Sequence, residues 1–163
     1  MKSVILIRHA KSSWAEIGLS DFDRPLNDRG KEDAPRMAKR LLDKAVAIDA
    51  FISSPAKRAK KTASLFISEY GGHKDDLILV PELYHAGADA FFHAIAQAPS
   101  RAKTIAVFSH NPGITDFANQ LTDARVDDMP TCAMFAVRAD IANWNEFRDA
   151  AKQFWFFDFP KSR

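Results

Sequence analysis

Short apolar runs alternate with amphipathic segments along the chain, and this alternation constrains the fold more than any other feature. The runs are rich in β-branched or aromatic residues and too short for buried helices, so they predict strands. They lie at 2–7, 50–52, 77–80, 104–108, 133–137 and 153–159. Strands separated by helices predict a three-layer α/β/α sandwich with a mostly parallel central sheet.

The first long amphipathic segment predicts a helix with a proline near its start. Apolar residues from Ala34 to Ala45 recur at i, i+3, i+4 and i+7, the spacing of one helix face. Proline lacks an amide hydrogen and fits only the first turn, so Pro35 predicts a helix that begins near Glu32 or bends there. The preceding residues 10–27 have no sustained period and predict a long ordered loop.

Two further helix starts directly follow predicted strands. The Ser-Ser-Pro sequence at 53–55 predicts a serine N-cap with proline at the first helical position, and Asn-Pro at 111–112 repeats this arrangement. Ligands of such sheets bind beyond the carboxyl ends of the strands. The segments to inspect for function are therefore 8–9, 53–58 and 109–113.

Composition narrows the class of protein. A chain of 163 residues can bury its own core, so we expect a single domain over 1–163. Its 23 basic and 21 acidic residues do not indicate nucleic-acid binding. Cys132 is the single cysteine, which excludes an internal disulfide and a cysteine-rich zinc site. No apolar run suits a secretory leader or a membrane span, so we expect a cytoplasmic protein without membrane contact. The sequence does not define the oligomeric state.

Two histidines and two arginines fall at the predicted carboxyl edge of the sheet. Arg8 and His9 follow the first strand. Arg58 lies in the first turn of a predicted helix, and His110 follows the strand at 104–108. Histidine can carry a phosphoryl group covalently, while arginine forks and helix N-termini bind its oxygens. The set predicts phosphoryl transfer at this edge.

Four motifs resemble those of the histidine phosphatase superfamily and occur in the expected order. They are R-H-A-K-S-S-W at 8–14, D-F-D-R-P-L-N-D-R-G at 21–30, S-S-P-A-K-R-A-K-K-T-A at 53–63 and S-H-N-P-G at 109–113, with P-T-C-A at 130–133 in the late-strand region. The short chain and the form of the motifs are similar to the SixA branch of small phosphohistidine phosphatases. The resemblance implies a phosphoglycerate mutase-like fold and one histidine phosphatase domain over 1–163.

The resemblance also implies a role for each matching catalytic residue. His9 would attack phosphorus and hold the phosphoryl group. Arg8, Arg58 and His110 would bind the phosphoryl oxygens and stabilise their charge. Water would then hydrolyse the phosphohistidine, and neither a metal nor another cofactor is implied.

The candidate substrate-binding residues surround this set; they are Ser12, Arg24, Glu82 and Asn111. Arg24 has the alternative of pairing with Asp21 or Asp23. Mutases and many esterases of the superfamily carry an acid four residues before a glycine, where it protonates the leaving oxygen. Leu83 occupies that position here, and Glu82 lies one residue away. Because the N–P bond of phosphohistidine is labile, the missing acid favours phosphohistidine over sugar phosphates.

The leading hypothesis is hydrolysis of phosphohistidine in a protein, with a phosphohistidine-bearing signalling domain as the kind of partner. One alternative keeps the chemistry and takes a small phosphate ester; another is a phospho-ligand binding module without turnover. The basic cluster at 57–61 is expected to be mostly solvated, and a minority interpretation has Lys57 or Lys60 steering an acidic phosphoprotein. His85 is a further candidate to line the mouth of the pocket.

Overall fold

The computed structural model describes residues 1–162, in which strands and helices alternate. The strands are β1 (Lys2–Arg8), β2 (Ala50–Ser53), β3 (Ile78–Leu79), β4 (Thr104–Ser109), β5 (Met134–Ala139) and β6 (Lys152–Asp158). The helices are α1 (Asp28–Asp43), α2 (Lys57–Glu69), α3 (Ala88–Ala96) and α4 (Gly113–Leu121). All six predicted strands are present, with ends that differ from the prediction by one or two residues.

One six-stranded sheet has the order β3-β2-β4-β1-β5-β6. The pairs β2–β3, β2–β4 and β1–β4 are parallel, while β5 pairs antiparallel with β1 and with β6. The prediction of a mostly parallel sheet is confirmed. Register places Arg8 beside Ser109 and Ser53 beside Phe108, so the carboxyl ends of β1, β2 and β4 meet at one edge.

Helices cover both faces of the sheet, which confirms the three-layer sandwich. Val4 and Leu6 of β1 belong to one core, formed with side chains of α3 and α4 such as Phe117. Ile5 and Ile7 belong to the other core, formed with α1 and α2. A strand buried on both faces needs apolar residues at every position, which explains the unbroken run at the start of the chain.

Helix α1 begins earlier than the sequence analysis predicted. Its N-cap is Asn27, whose side-chain oxygen accepts a hydrogen bond from the Gly30 amide at 2.9 Å. Pro35 therefore lies inside the helix, where it removes one backbone hydrogen bond, the one to the Lys31 carbonyl. The expected start near Glu32 was wrong because the cap at Asn27 fixes the helix end despite the later proline.

Helices α2 and α4 begin later than predicted, and their N-caps are Ala56 and Pro112 rather than the predicted serine and asparagine. Helix α2 begins at Lys57, and the Ser54 hydroxyl accepts from the Ala56 amide in the turn that precedes it. Helix α4 begins at Gly113, after Pro112. Both prolines therefore precede their helices. Within residues 1–162, no helix has the length and apolar character needed to cross a membrane.

Candidate active site

A polar pocket of about 460 Å³ lies where β1, β2 and β4 end. The four predicted catalytic residues line it together: Arg8, His9, Arg58 and His110. Three predicted substrate-binding residues, Ser12, Arg24 and Asn111, also line it, as does His85. Residues that are far apart in sequence meet here because the parallel strands bring their carboxyl ends to one edge.

Glu82 is the predicted site residue that the structure does not bring to this pocket. It lies in the turn Pro81–Leu83, and its side chain is 51% exposed. Its carboxylate is 4.0 Å from Nδ1 of His93 on α3. Glu82 is not among the residues that line the pocket, and the geometry gives it no contact with a substrate there.

The hydrogen bonds of His9 define which ring nitrogen carries the proton. Nδ1 lies 2.7 Å from the Ala10 carbonyl oxygen, which can only accept, so Nδ1 donates. Nε2 accepts from Nε of Arg58 at 3.3 Å. Burial lowers the pKa of His9 to about 3, and the nearby His110 and Arg58 also lower it. The imidazole is therefore neutral at neutral pH, with its lone pair on the Nε2 atom that faces Arg58.

Asp21 is the carboxylate that holds Arg58 in place. Nη1 of Arg58 donates to the Asp21 backbone carbonyl at 2.6 Å, and Nη2 donates to Oδ2 at 3.0 Å. The Tyr84 hydroxyl donates to the same Oδ2 at 2.6 Å, and Arg24 donates to Oδ1 at 3.0 Å. The bond from Tyr84, followed by those from Arg58 and Arg24, holds the pKa of Asp21 well below its usual range. Asp21 thus stays ionised near neutral pH.

Sequence reasoning did not assign Asp21 or Tyr84 to the site. Asp21 was considered only as a partner for Arg24, and that ion pair is present at 3.0 Å. The position of Asp21 within the D-F-D-R motif is the sequence signal that could have indicated a further role. Tyr84 lies in an irregular segment and carried no signal in the sequence.

Thr62 links the segment that follows His9 to helix α2, which carries Arg58. Its buried hydroxyl accepts from the Ala10 amide at 2.9 Å and donates to the Arg58 carbonyl at 2.8 Å. One side chain therefore couples the residue after His9 to the first turn of α2. Thr62 lies within the motif at 53–63, but its role depends on a contact between residues 52 positions apart.

His110 occupies the opposite side of the pocket. Its Nε2 lies 2.7 Å from the Ser54 hydroxyl, and its buried Nδ1 has no hydrogen-bond partner within residues 1–162. Burial lowers its pKa to about 3, and the positive charge of Arg58 adds to that shift. The two histidine rings are 5.1 Å apart between centroids. Both are therefore neutral at neutral pH and face one space.

Two glycines allow loops to approach this edge closely. A Cβ atom on Gly30 would lie 2.2 Å from the Lys11 carbonyl oxygen, and one on Gly113 would lie 2.2 Å from that of Ala86. Backbone atoms would have to move to admit either methyl group. Gly30 thus brings the start of α1 against the residues after His9, and Gly113 brings residues 84–87 against the start of α4.

The remaining predicted residues have partners within the protein. Arg24 donates to the Ser12 hydroxyl and to the Ser13 carbonyl, and its guanidinium lies 3.2 Å from the centre of the Trp14 ring. The Asn111 amide nitrogen donates to the Met129 carbonyl at 3.1 Å and to the Asp128 carboxylate at 2.7 Å. Arg24 and Asn111 therefore help to hold the pocket walls as well as lining the pocket.

The charge of the pocket and the neutral imidazole of His9 favour the binding of a phosphoryl group. Four cationic side chains line it, those of Lys11 and three arginines, together with the single carboxylate Asp21. This excess of positive charge suits a dianion, and the neutral His9 supplies an unprotonated nitrogen. Within residues 1–162, no three or more His, Cys, Asp or Glu side chains are grouped so that they could hold a metal ion.

Comparison with known proteins places this geometry in a family. The family model of the histidine phosphatase superfamily (branch 1) matches residues 4–84. A structure assigned as the phosphohistidine phosphatase SixA of Agrobacterium tumefaciens has a TM-score of 0.81 and 25% identity, over 98% of both chains. The protein histidine phosphatase SixA complexed with tungstate has a TM-score of 0.80 and 22% identity, over 97% of both chains.

A sequence relative extends the similarity beyond bacteria. An uncharacterised chloroplast protein of Arabidopsis thaliana is 28% identical over 153 residues, which cover 89% of this chain and 70% of that protein. The family match runs from β1 to Tyr84 and includes His9 and Arg58, and the fold similarity extends through His110 to the last strand. The chain belongs to the histidine phosphatase superfamily.

Proposed function

We propose that the protein hydrolyses phosphohistidine in a protein substrate, through a covalent phosphohistidine on His9. The observation that carries the proposal is the assigned tautomer of His9, whose Nε2 lone pair faces Arg58 in a cation-lined pocket. In the first step, Nε2 of His9 forms a bond to phosphorus as the bond from phosphorus to the substrate imidazole breaks. The other ring nitrogen of the substrate imidazole carries a proton, so the electron pair of the broken bond leaves with a neutral imidazole.

In the second step a water molecule attacks phosphorus, and the bond to Nε2 of His9 breaks. The water protons go to solvent or to the phosphate, and inorganic phosphate leaves. Arg8, Arg58 and His110 stabilise the charge on the phosphoryl oxygens in both steps. Because the arginines supply this charge, we propose that the reaction needs no metal ion.

The leaving group supports phosphohistidine as the substrate. An alkoxide has a pKa well above 7 and needs a proton in the transition state. Asp21 is the carboxylate of the pocket, and its low pKa keeps it ionised, so it cannot donate that proton near neutral pH. Glu82 lies outside the pocket lining. An imidazole leaves more readily, and the two structural relatives named above are described as phosphohistidine phosphatases.

A substrate panel tests this function against its alternatives. We expect faster turnover of a phosphohistidine peptide than of 3-phosphoglycerate, with p-nitrophenyl phosphate between them, and undiminished activity in EDTA. Tungstate should inhibit all three reactions. Quenched reactions should contain an acid-labile phosphoenzyme that the His9→Ala variant does not form.

Each alternative function has its own outcome in the panel. Faster hydrolysis of 3-phosphoglycerate would contradict the proposal and favour a phosphomonoesterase. Tungstate binding without turnover or phosphoenzyme would favour a phospho-ligand binding module. A strict metal requirement would contradict the proposed chemistry.

A further inference from the structure

A second cavity, of about 720 Å³, lies beside the active-site pocket and has a different chemistry. Its five lysines come from α1, α2 and the turn after α2; they are Lys31, Lys57, Lys60, Lys61 and Lys74. Apolar side chains line it as well, among them Leu26, Leu77 and Leu79. We call this cavity the lysine groove.

The lysine groove adjoins the active-site pocket along two segments of the chain. Arg24 lines the pocket, and the next residue, Pro25, lines the groove. Arg58 lines the pocket, and the preceding residue, Lys57, lines the groove. A molecule lying in the groove would therefore contact residues that directly neighbour the pocket lining along the chain.

The positive charge of the lysine groove is concentrated and uncompensated. Its five lysines face one lining carboxylate, Asp75, although the whole chain has nearly equal numbers of basic and acidic residues, 23 and 21. None of the five forms a salt bridge within residues 1–162. Asp75 itself lies 3.3 Å from Nδ1 of His73. The groove therefore attracts an acidic partner.

We propose that the lysine groove docks an acidic amphipathic helix of the phosphoprotein whose phosphohistidine enters the pocket; this rests on the proposed function. Acidic side chains of the helix meet the lysine ammonium groups, and its apolar face covers the half-buried Leu77 and the exposed Leu79. A nucleic acid fits less well, because none of the residues that line the groove is aromatic and bases would have no surface for stacking.

Two helical peptides that carry the same phosphohistidine test this docking site. One has leucine and glutamate on its helix faces, and the other has lysine in place of each glutamate. We expect kcat/KM of the wild-type enzyme to be at least about tenfold higher for the acidic peptide. Raising the salt concentration from about 0.05 M to about 0.5 M should remove most of that preference. Fluorescence anisotropy of the labelled, unphosphorylated peptides measures binding separately from turnover.

A charge-reversal variant assigns the preference to the groove. Lys31→Glu with Lys60→Glu places two acids at the fourth residues of α1 and α2, where the helix dipole tolerates them. The matched control is Arg101→Glu with Lys103→Glu, at exposed positions before β4 and therefore at the opposite edge of the sheet. We expect the groove variant to lose the acidic preference and the control to keep it. Both should keep most of the wild-type activity on p-nitrophenyl phosphate, because none of the four residues lines the active-site pocket.

The outcomes separate this proposal from the proposed function. Hydrolysis of both phosphohistidine peptides at equal rates, with equal binding, overturns the docking site and leaves the function standing. Selective binding of the acidic peptide that depends on Lys31 and Lys60, without turnover, supports the docking site and contradicts the function. Loss of the preference in the control variant, or tighter groove-dependent binding of a single-stranded oligonucleotide than of the acidic peptide, overturns the docking site.

Discussion

The two halves of the active-site pocket are held in different ways. In the half around His9, the Asp21 carboxylate pairs with both Arg58 and Arg24, and Arg58 donates to the neutral ring of His9. In the half around His110, Arg8 donates to a backbone carbonyl and His110 contacts the Ser54 hydroxyl, so neither residue has an ion-pair partner within the described residues. Nε of Arg8 and Nδ1 of His110 are buried without partners in the described residues.

The side chains of the two halves are therefore held in position by different kinds of interaction. The His9 half is an ionic network, so the loss of one member disturbs the others. The His110 half depends on the backbone, so the effects of changes there stay local. Mutations within the His9 half should therefore depart further from additivity than mutations that span the two halves.

The largest effect should follow removal of the nucleophile. His9→Ala should lower kcat by at least about 10⁴-fold, because His9 is the proposed carrier of the phosphoryl group. His110→Ala is the matched control from the other half, and it should still form the acid-labile phosphoenzyme at a reduced rate. Phosphoenzyme trapping and steady-state kinetics measure both. Labelling of His9→Ala at the wild-type level would show that another residue is the nucleophile.

The next effect concerns Arg58, which contacts the nucleophile. Arg58→Ala should cost about 10²–10³ in kcat, the usual loss when one charge-stabilising group is removed. Arg58→Lys should restore little, since a lysine cannot bind Nε2 of His9 and both Asp21 groups at once. Steady-state rates on p-nitrophenyl phosphate provide the measurement. Full activity of Arg58→Lys would mean that charge alone, without the fork geometry, suffices.

Folding stability should fall in acid because both histidines are buried in the neutral form. Their folded pKa values are about 3, below the ordinary value of 6.5, so the unfolded chain binds protons that the folded chain does not. Their contribution is fully present above pH 6.5 and is lost as the pH falls from there towards 3. We expect a loss on the order of 2 kcal/mol per histidine between about pH 6.5 and 4.5.

Urea unfolding at several pH values measures this slope. The variants His9→Gln and His110→Gln should each flatten it, and the double variant should flatten it most. Asp21 contributes little to the slope between about pH 6.5 and 4.5. Its lowered pKa affects folding stability only near and below the ordinary pKa of an aspartate. An unchanged slope in the double variant would contradict the neutral state of the two rings.

A smaller effect should follow removal of the charge that holds Arg58. Asp21→Asn should lower kcat about tenfold, since it weakens a charge-assisted hydrogen bond rather than a contact to phosphorus. Asp23→Asn is the control, because the Asp23 carboxylate receives its side-chain hydrogen bond from Ser20. In double-mutant cycles, Asp21→Asn should add little to Arg58→Ala and should come closer to additivity with His110→Ala. The reverse pattern would remove the distinction between the two halves.

The smallest effect is expected at Glu82. Glu82→Gln should change the rate on a phosphohistidine peptide by less than about twofold, because the side chain lies outside the pocket lining. The rate of the Glu82→Gln variant on 3-phosphoglycerate, the control substrate, is measured in the same way. A selective loss of the 3-phosphoglycerate activity would identify Glu82 as a general acid and contradict the substrate assignment.

The layers of the fold were predictable because each strand is a local pattern. The unbroken apolar run at 4–7 indicates burial on both faces, and the carboxyl ends of parallel strands share one edge, where Arg8 and Ser109 meet. The first residue of each helix was harder to predict, because a capping residue and a proline can indicate different starting positions. At α1 the cap at Asn27 determined the start, although Pro35 is the stronger signal when a sequence is scanned alone.

Contacts between distant irregular segments could not be predicted in this way. Tyr84 and Asp21 are 63 residues apart, and neither lies in a strand or an α-helix whose period would orient its side chain. Thr62 faces Ala10 across a similar separation. The motif residues that line the pocket could therefore be proposed from the sequence, whereas the residues that hold them depended on the three-dimensional structure.

Gly30 and Gly113 have a consequence for how this site tolerates genetic variation. Neither residue has a side chain to offer a substrate, and both lie outside the strands, so alanine at either position leaves every sheet pairing available. The added methyl group would still push apart the backbone segments that form the pocket rim. In a library of single substitutions, alanine at either position would therefore be depleted by a selection for activity. The two smallest residues of the rim would then be among the least replaceable positions.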